Sequence, residues 1–138
     1  MKNIKKNKIK NFVAQINPNI KVQFAKRFEC DTNQNIIFVE TQRNKKDAQM
    51  FKNWYQKYFN EKLSKKDLFY ISLLHEIGHI MTYTEELDQE RDEQWETIGT
   101  ALMLDIITQE QANNEYFEIP MELIATEWAR NYYHNYVK

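Results

Sequence analysis

Two histidines four residues apart, with a glutamate directly after the first, form the run His75-Glu76-Ile77-Gly78-His79 in a chain that has only three histidines and two glycines. On a helix, side chains at i and i+4 share one face with Cβ atoms ~5–6 Å apart, so both imidazoles can converge on one metal ion. Glu76 lies one step round the helix. It is too far to replace a histidine as ligand and close enough to reach a water activated by the metal, which is the place of a general base. An H-E-x-x-H run is the signature of zinc peptidases, and a catalytic zinc keeps three protein ligands and one open position. The motif supplies two ligands, so a third must come from elsewhere.

The motif needs a helix, and Ser64-Lys65-Lys66-Asp67 reads as the capping box that starts one, running from near Lys65 to about Met81. The candidate third ligands downstream are Asp88, Glu96, Glu118, Glu122 and Glu127, with His134 the one remaining imidazole. Pro120 suits the first turn of a last helix, where its missing N–H costs nothing, and this helix is expected to reach roughly Tyr136. On it Glu122, Ala125 and Ala129 fall at i, i+3 and i+7, a carboxylate and two small residues on one face. Small residues let a second helix come close, as a ligand crossing between helices requires. Glu127 is rotated about 140° from Glu122 at ~100° per residue. Glu118, ahead of Pro120, is better placed as a charge favourable to the helix dipole. This selects Glu122. Gly78, between the ligands, carries a propensity cost of ~1 kcal/mol, which points to close backbone approach by a neighbour, with a merely tolerated glycine as the plainer reading.

The remaining elements frame that pair of helices. Ile9, Phe12, Val13 and Ile16 recur at helical spacing among lysines, and Pro18 ends the pattern, giving a short amphipathic helix over 3–16. Ile20, Val22 and Phe24 alternate with polar residues, and a polar run over 31–35 precedes Ile36-Ile37-Phe38-Val39, so two strands joined by a turn are expected. The second, β-branched and nearly continuous, reads as buried on both faces. Met50, Phe51, Trp54, Tyr55, Tyr58 and Phe59 make the packing stripe of a helix over 45–60. The acidic stretch over 85–93 reads as an exposed connection or a loosely helical edge. Ile98, Ala101, Leu102 and Ile106 resume helical spacing, and Thr108-Gln109-Glu110-Gln111 offers a capped start for a short helix. The fold class expected is α+β, a mostly helical domain with a small β-sheet preceding the H-E-x-x-H helix, and one domain over 1–138.

Composition narrows the function classes. Hydrophobic residues at 42% and charges at 28%, near balance with a net charge of -1, describe a globular chain with no reason to seek a polyanionic partner. The lone Cys30 can make no internal disulfide, which is compatible with a reducing compartment. Lys2, Lys5, Lys6, Lys8 and Lys10 are not followed by the apolar core of a secretory signal, and no apolar run approaches the ~18 residues of a membrane span. A cytoplasmic location without membrane contact is expected.

Paired with the first motif, Glu122-Leu123-Ile124-Ala125-Thr126-Glu127-Trp128-Ala129 resembles the second motif of the ImmA/IrrE-type zinc metallopeptidases, in particular small versions encoded by phages and mobile elements. Tyr116-Phe117-Glu118-Ile119-Pro120-Met121 is similar to the phage-type lead-in to that motif, and the likeness covers most of residues 68–133. The resemblance implies a zincin-like fold, Glu122 as third zinc ligand, and cleavage of a repressor protein in a regulatory circuit, in the host cytoplasm for a phage-encoded member. The helix-turn-helix or sensor domain of some relatives has no room here, which argues against direct gene regulation by this chain and leaves cleavage of a separate regulator open.

The expected function is therefore that of a zinc metallopeptidase acting on a protein or peptide substrate, a transcriptional repressor being the leading candidate. Zn²⁺ is held by His75, His79 and Glu122, and Glu76 assists attack of zinc-bound water. Tyr83, Tyr132, Tyr133 and His134 are candidate oxyanion donors, and Glu96 and Glu118 candidate partners that orient the imidazoles. If the acidic stretch from Glu85 to Glu96 lined the cleft it would favour basic peptides; an exposed solvated segment is the plainer reading. Two other classes stand beside this one: a non-catalytic zinc-stabilised interaction module with a closed fourth position, and, less favoured, a nucleic-acid-binding protein using Lys5, Lys6, Lys8 and Lys10.

Overall fold

The structure is a computed structural model that describes residues 1–138. Helix α1 (Asn3–Ile16) turns Ile9 and Val13 into the core and leaves most of its lysines in solvent. Three strands follow, β1 (Lys21–Ala25), β2 (Glu29–Asp31) and β3 (Ile36–Glu40), in the sheet order β1-β3-β2. The expected pair of strands is thus corrected. β1 and β3 lie side by side in parallel, with Lys21 opposite Ile36 and Ala25 opposite Glu40. The turn after Asp31 instead joins β3 to β2, its antiparallel neighbour. Asp31 Oδ1 accepts from the backbone N–H groups of Asn33 (3.0 Å) and Gln34 (3.2 Å), and Asn35 takes the left-handed φ of 54° that closes the turn. Three residues of β2 are too few to show an alternation, which is why periodicity misses it. β3 is the central strand, with Ile36, Ile37 and Val39 buried as its unbroken apolar run predicts.

Helix α2 (Lys45–Phe59) is capped by Asn44 and buries Trp54 and Tyr55. Helix α3 (Lys65–Met81) begins at the predicted capping box: the Ser64 hydroxyl accepts from the Asp67 amide and the Asp67 carboxylate from the Ser64 amide, both at 3.1 Å. The other Asp67 oxygen accepts from the Tyr133 hydroxyl, tying the start of α3 to the end of the chain. Of the two readings of the acidic stretch the helical one holds, and the helix is regular rather than loose. The stretch is the first half of α4 (Glu85–Met103), capped by Thr84, with Glu85, Glu86 and Asp88 in the first turn, where negative charge offsets the helix dipole. Its weak apolar period reflects a helix that buries only Ile98. Ile106, read as part of that helix, lies beyond its end and is exposed. Helix α5 (Gln109–Phe117) starts at the Thr108 capping box, and α6 (Pro120–Tyr132) starts on Pro120. α6 then passes into a π-helical turn over Tyr133–Val137. No helix is long and apolar enough to cross a membrane.

The core joins Val13, Ile37, Tyr55, Ile71, Leu74 and Ile77, and α3 runs through its middle against α6. The two helices touch backbone to backbone. A Cβ built on Gly78 would stand 2.7 Å from the Ala125 carbonyl oxygen and 3.2 Å from its Cα, so only glycine fits. Gly99, on α4, has nothing within 4 Å of its Cβ position.

Gly78→Ala is therefore expected to cost about 1–3 kcal/mol of overpacking, whereas Gly99→Ala should gain about 0.5–1 kcal/mol from helix propensity alone. Urea unfolding of the two variants checks this, and equal shifts would contradict the close approach. Burial would raise the Asp67 carboxyl, but the bonds from Tyr133 and Ser64 outweigh it and hold its pKa below the ordinary range. A lowered folded pKa stabilises above the unfolded value of ~3.9 and is lost as pH falls through the folded one. The stability gap between wild type and Asp67→Asn should thus be full at neutral pH and narrow below about pH 4 in thermal unfolding; a gap independent of pH would contradict it.

Candidate metal centre

Two helices bring the centre together. α3 presents His75 and His79 one turn apart with their rings edge to face, 4.5 Å between centroids, and their Nε2 atoms 3.0 Å apart. α6 presents Glu122 from its first turn, with Oε1 3.3 Å from His75 Nε2 and 3.2 Å from His79 Nε2. A tetrahedral ion with bonds of ~2.0–2.1 Å holds its ligands about 3.3–3.4 Å apart, close to these three separations. The ligand atoms of the three residues all lie within 4.8 Å of one another, a group able to hold a metal ion.

Hydrogen bonding fixes one ligand's tautomer. The Thr126 hydroxyl lies 3.1 Å from the Glu122 carbonyl oxygen and 2.9 Å from His75 Nδ1. A carbonyl can only accept, so the single hydroxyl proton goes to it and Thr126 accepts from Nδ1–H of His75. That leaves the lone pair of His75 on Nε2, facing His79 and Glu122, as a metal ligand requires. Phe51 packs beside the same ring at 6.1 Å. His79 has no such anchor: its buried Nδ1 lacks a partner.

Glu76 is buried on the same helix and its Oε2 makes no hydrogen bond. Burial pushes its pKa up, against the lowering influence of His75 and His79. Glu122 goes the other way. Burial would raise it, but its close contacts with His75 and His79 outweigh that and hold its carboxyl well below the usual carboxylate range. His75 is lowered by burial and raised further by its bond to Glu122 and by Glu76, so its pKa ends above the ordinary value. The two oxygens of Glu122 have separate duties: Oε1 faces the histidines and accepts from the Tyr116 hydroxyl at 3.1 Å, while Oε2 pairs with Arg91 Nε at 3.3 Å. Burial, then the Glu122 charge, holds Tyr116 as a phenol donor. The nearby Cys30 thiol is pushed up by burial and by the charges of Glu76 and Glu122, which favours the neutral thiol there.

The centre lies in an open cleft. Two cavities of about 440 and 470 Å³ share Arg27, Phe28, Glu76, Tyr116 and Glu122, one reaching toward Asp88 and Arg91, the other toward Phe51, Ser72 and Trp95.

Comparison with family models, curated proteins and solved structures gives no match.

Of the residues singled out in the sequence, His75, Glu76, His79 and Glu122 come together. The others do not. Glu127 and Glu96 are exposed, and Glu118 accepts from the Trp54 indole at 3.1 Å instead of from an imidazole. His134 pairs with Glu61 at 3.0 Å, Tyr133 donates to Asp67, Tyr132 stacks on Trp128, and Tyr83 faces solvent. Tyr116 and Arg91 contact Glu122 and Thr126 contacts His75, and the sequence reading missed all three. Thr126 is four residues past Glu122 on the face that holds Ala125 and Ala129, so a fuller reading of that face finds it. Arg91 was hidden by the acidity around it.

Thr126→Val keeps the shape and removes the acceptor for His75. Loss of a partner of this kind typically weakens metal affinity about 10–100-fold, which chelator competition measures. Unchanged affinity would show that the tautomer is set in another way.

Proposed function

We propose that the protein is a zinc-dependent metallopeptidase that hydrolyses peptide bonds of a protein substrate, with His75, His79 and Glu122 holding the ion and Glu76 as general base. The observation that carries this reading is the unpartnered, buried oxygen of Glu76 beside a three-ligand cluster, at the wall of an open cleft. Two imidazoles and one carboxylate, with no thiolate, are a donor set suited to catalytic zinc. Such an ion, when bound, would polarise the scissile carbonyl and lower the pKa of water toward ~7.

The chain's own residues supply the rest. Glu76 takes a proton from the attacking water through its free Oε2 as the water oxygen bonds to the carbonyl carbon. It returns that proton to the amine as the C–N bond breaks, leaving an acid and an amine. A carboxyl whose pKa is raised by burial is suited to both steps, because it holds a proton more readily than a solvated one. Arg91, whose guanidinium has more N–H donors than the one paired with Glu122, and the Tyr116 hydroxyl, on turning from Glu122 Oε1, are the cleft donors suited to hold a developing oxyanion. A closed structural metal site would leave both the free Glu76 oxygen and the cleft without a use. The likeness of residues 75–79 and 122–129 to ImmA/IrrE-type peptidases supports a repressor or another regulator as the protein that is cut.

Metal analysis together with mass spectrometry of a digested protein mixture tests the reading. Wild type is expected to hold one zinc per chain and to cleave; Glu76→Gln should keep the zinc and lose about 10²–10⁴-fold in rate, and His75→Ala should lose the zinc. Cleavage by Glu76→Gln at the wild-type rate would contradict the role of Glu76.

A further inference from the structure

Between α1 and the first half of α3 runs a second groove, of about 750 Å³, that no step of the hydrolysis uses. Its floor is apolar, formed by Ile9, Phe12, Phe28, Leu68, Phe69 and Leu73. Its rim is cationic: Lys2, Lys5, Lys8, Arg43, Lys65 and Lys66 line it, against one carboxylate, Glu40. In a chain of net charge -1 this is a strong local segregation of charge, and none of the six cations is engaged in an ion pair. The Lys5 ammonium stands 5.3 Å from the centroid of the Phe69 ring, over the floor itself. Ile4, on the same wall, is 84% exposed.

This groove joins the cleft. Phe28, Glu40, Ala48 and Ser72 line both it and the cavity beside His75, and Ser72 is one helical turn before Glu76 on α3. From Glu76 back to Leu68 is about 12 Å along the helix at ~1.5 Å per residue, the reach of about four residues of extended chain. We infer that the groove docks an acidic segment of the protein substrate, with an apolar side chain on the floor, carboxylates against the lysine rim, and its end about four residues from the bond that is cut. The role in cleavage rests on the peptidase reading; the binding does not.

The same chemistry argues against nucleic acid as the occupant. Phe12, Phe28, Phe69 and Tyr70 meet each other edge to face, with centroids 5.3–5.9 Å apart, so their ring faces are taken up by one another and by Lys5, leaving no platform for stacked bases. A concave apolar floor suits one inserted side chain, and the rim then selects the sign of charge around it. The acidic residues of α4 do not oppose this: of them, only Asp88 lines the cleft, and it does so on the far side of Glu76.

Fluorescently labelled Glu76→Gln protein, probed on an array of random twelve-residue peptides, tests the inference whether or not the wild type hydrolyses anything. Bound peptides should be enriched in Asp and Glu flanking a Leu, Ile or Phe. The triple variant Lys5→Glu, Lys8→Glu, Lys66→Glu, all exposed positions away from the metal centre, should weaken their binding at least tenfold at unchanged circular dichroism. Binders rich in Lys and Arg, binding unaffected by the triple variant, or no binders at all would overturn it. So would tighter binding of a 20-nucleotide oligo-dT that the triple variant abolishes, since that outcome assigns the groove to nucleic acid.

Discussion

Everything at the candidate centre depends on how closely α6 crosses α3. The histidines are four residues apart on one helix, and their convergence needs only helix geometry. Glu122 is another matter, since a carboxylate has a short side chain and must be carried to the imidazoles by its own backbone. The absence of a Cβ on Gly78 and the small side chain of Ala125 permit that approach, and Ala129 continues the small-residue face one turn further on. Pro120 fixes where α6 begins, so Glu122 falls in the first turn, where the positive end of the helix dipole favours its charge. The Asp67 capping box and its bond to Tyr133 fasten the opposite ends of the same two segments.

The charges gathered there are not independently comfortable. Two buried carboxylates and two imidazoles share a small volume, and burying charge is costly unless it is paired. Arg91 and Tyr116 satisfy part of Glu122 from outside, while its Oε1 and the two Nε2 atoms face one another closely. That group could hold a metal ion. Glu76, with burial raising its pKa and one oxygen without a partner, is left as the group free to exchange a proton.

Much of this was legible in the sequence because it is local. The extents of α1 and α3, the start of α5 and the Pro120 start of α6 follow from caps, periodicity and proline, and the H-E-x-x-H spacing names its own chemistry. Glu122 could be chosen because its small-residue face is also local. The parallel β1–β3 pairing was not legible, since a three-residue strand carries no period and register depends on a turn built by Asp31 and Asn35. The acidic start of α4 was left between connection and helix for a related reason: a helix that buries one residue shows little apolar pattern. With the helix over 85–93 left as one of two readings, Arg91 was passed over, and Tyr83, Tyr132 and Tyr133 lie away from Glu122. The lysines of α1 are mostly solvated as read, and only the fold adds Lys65, Lys66 and Arg43 on the opposite rim.

The central claim is that His75, His79 and Glu122 form an open three-ligand zinc centre. Anomalous diffraction at the zinc edge from crystals of zinc-loaded protein tests it most directly. One ion is expected, bonded to both Nε2 atoms and to Glu122 Oε1 at ~2.0–2.1 Å, with a solvent oxygen in the fourth position near Glu76. An ion bound elsewhere, or a fourth protein ligand closing the site, would contradict it.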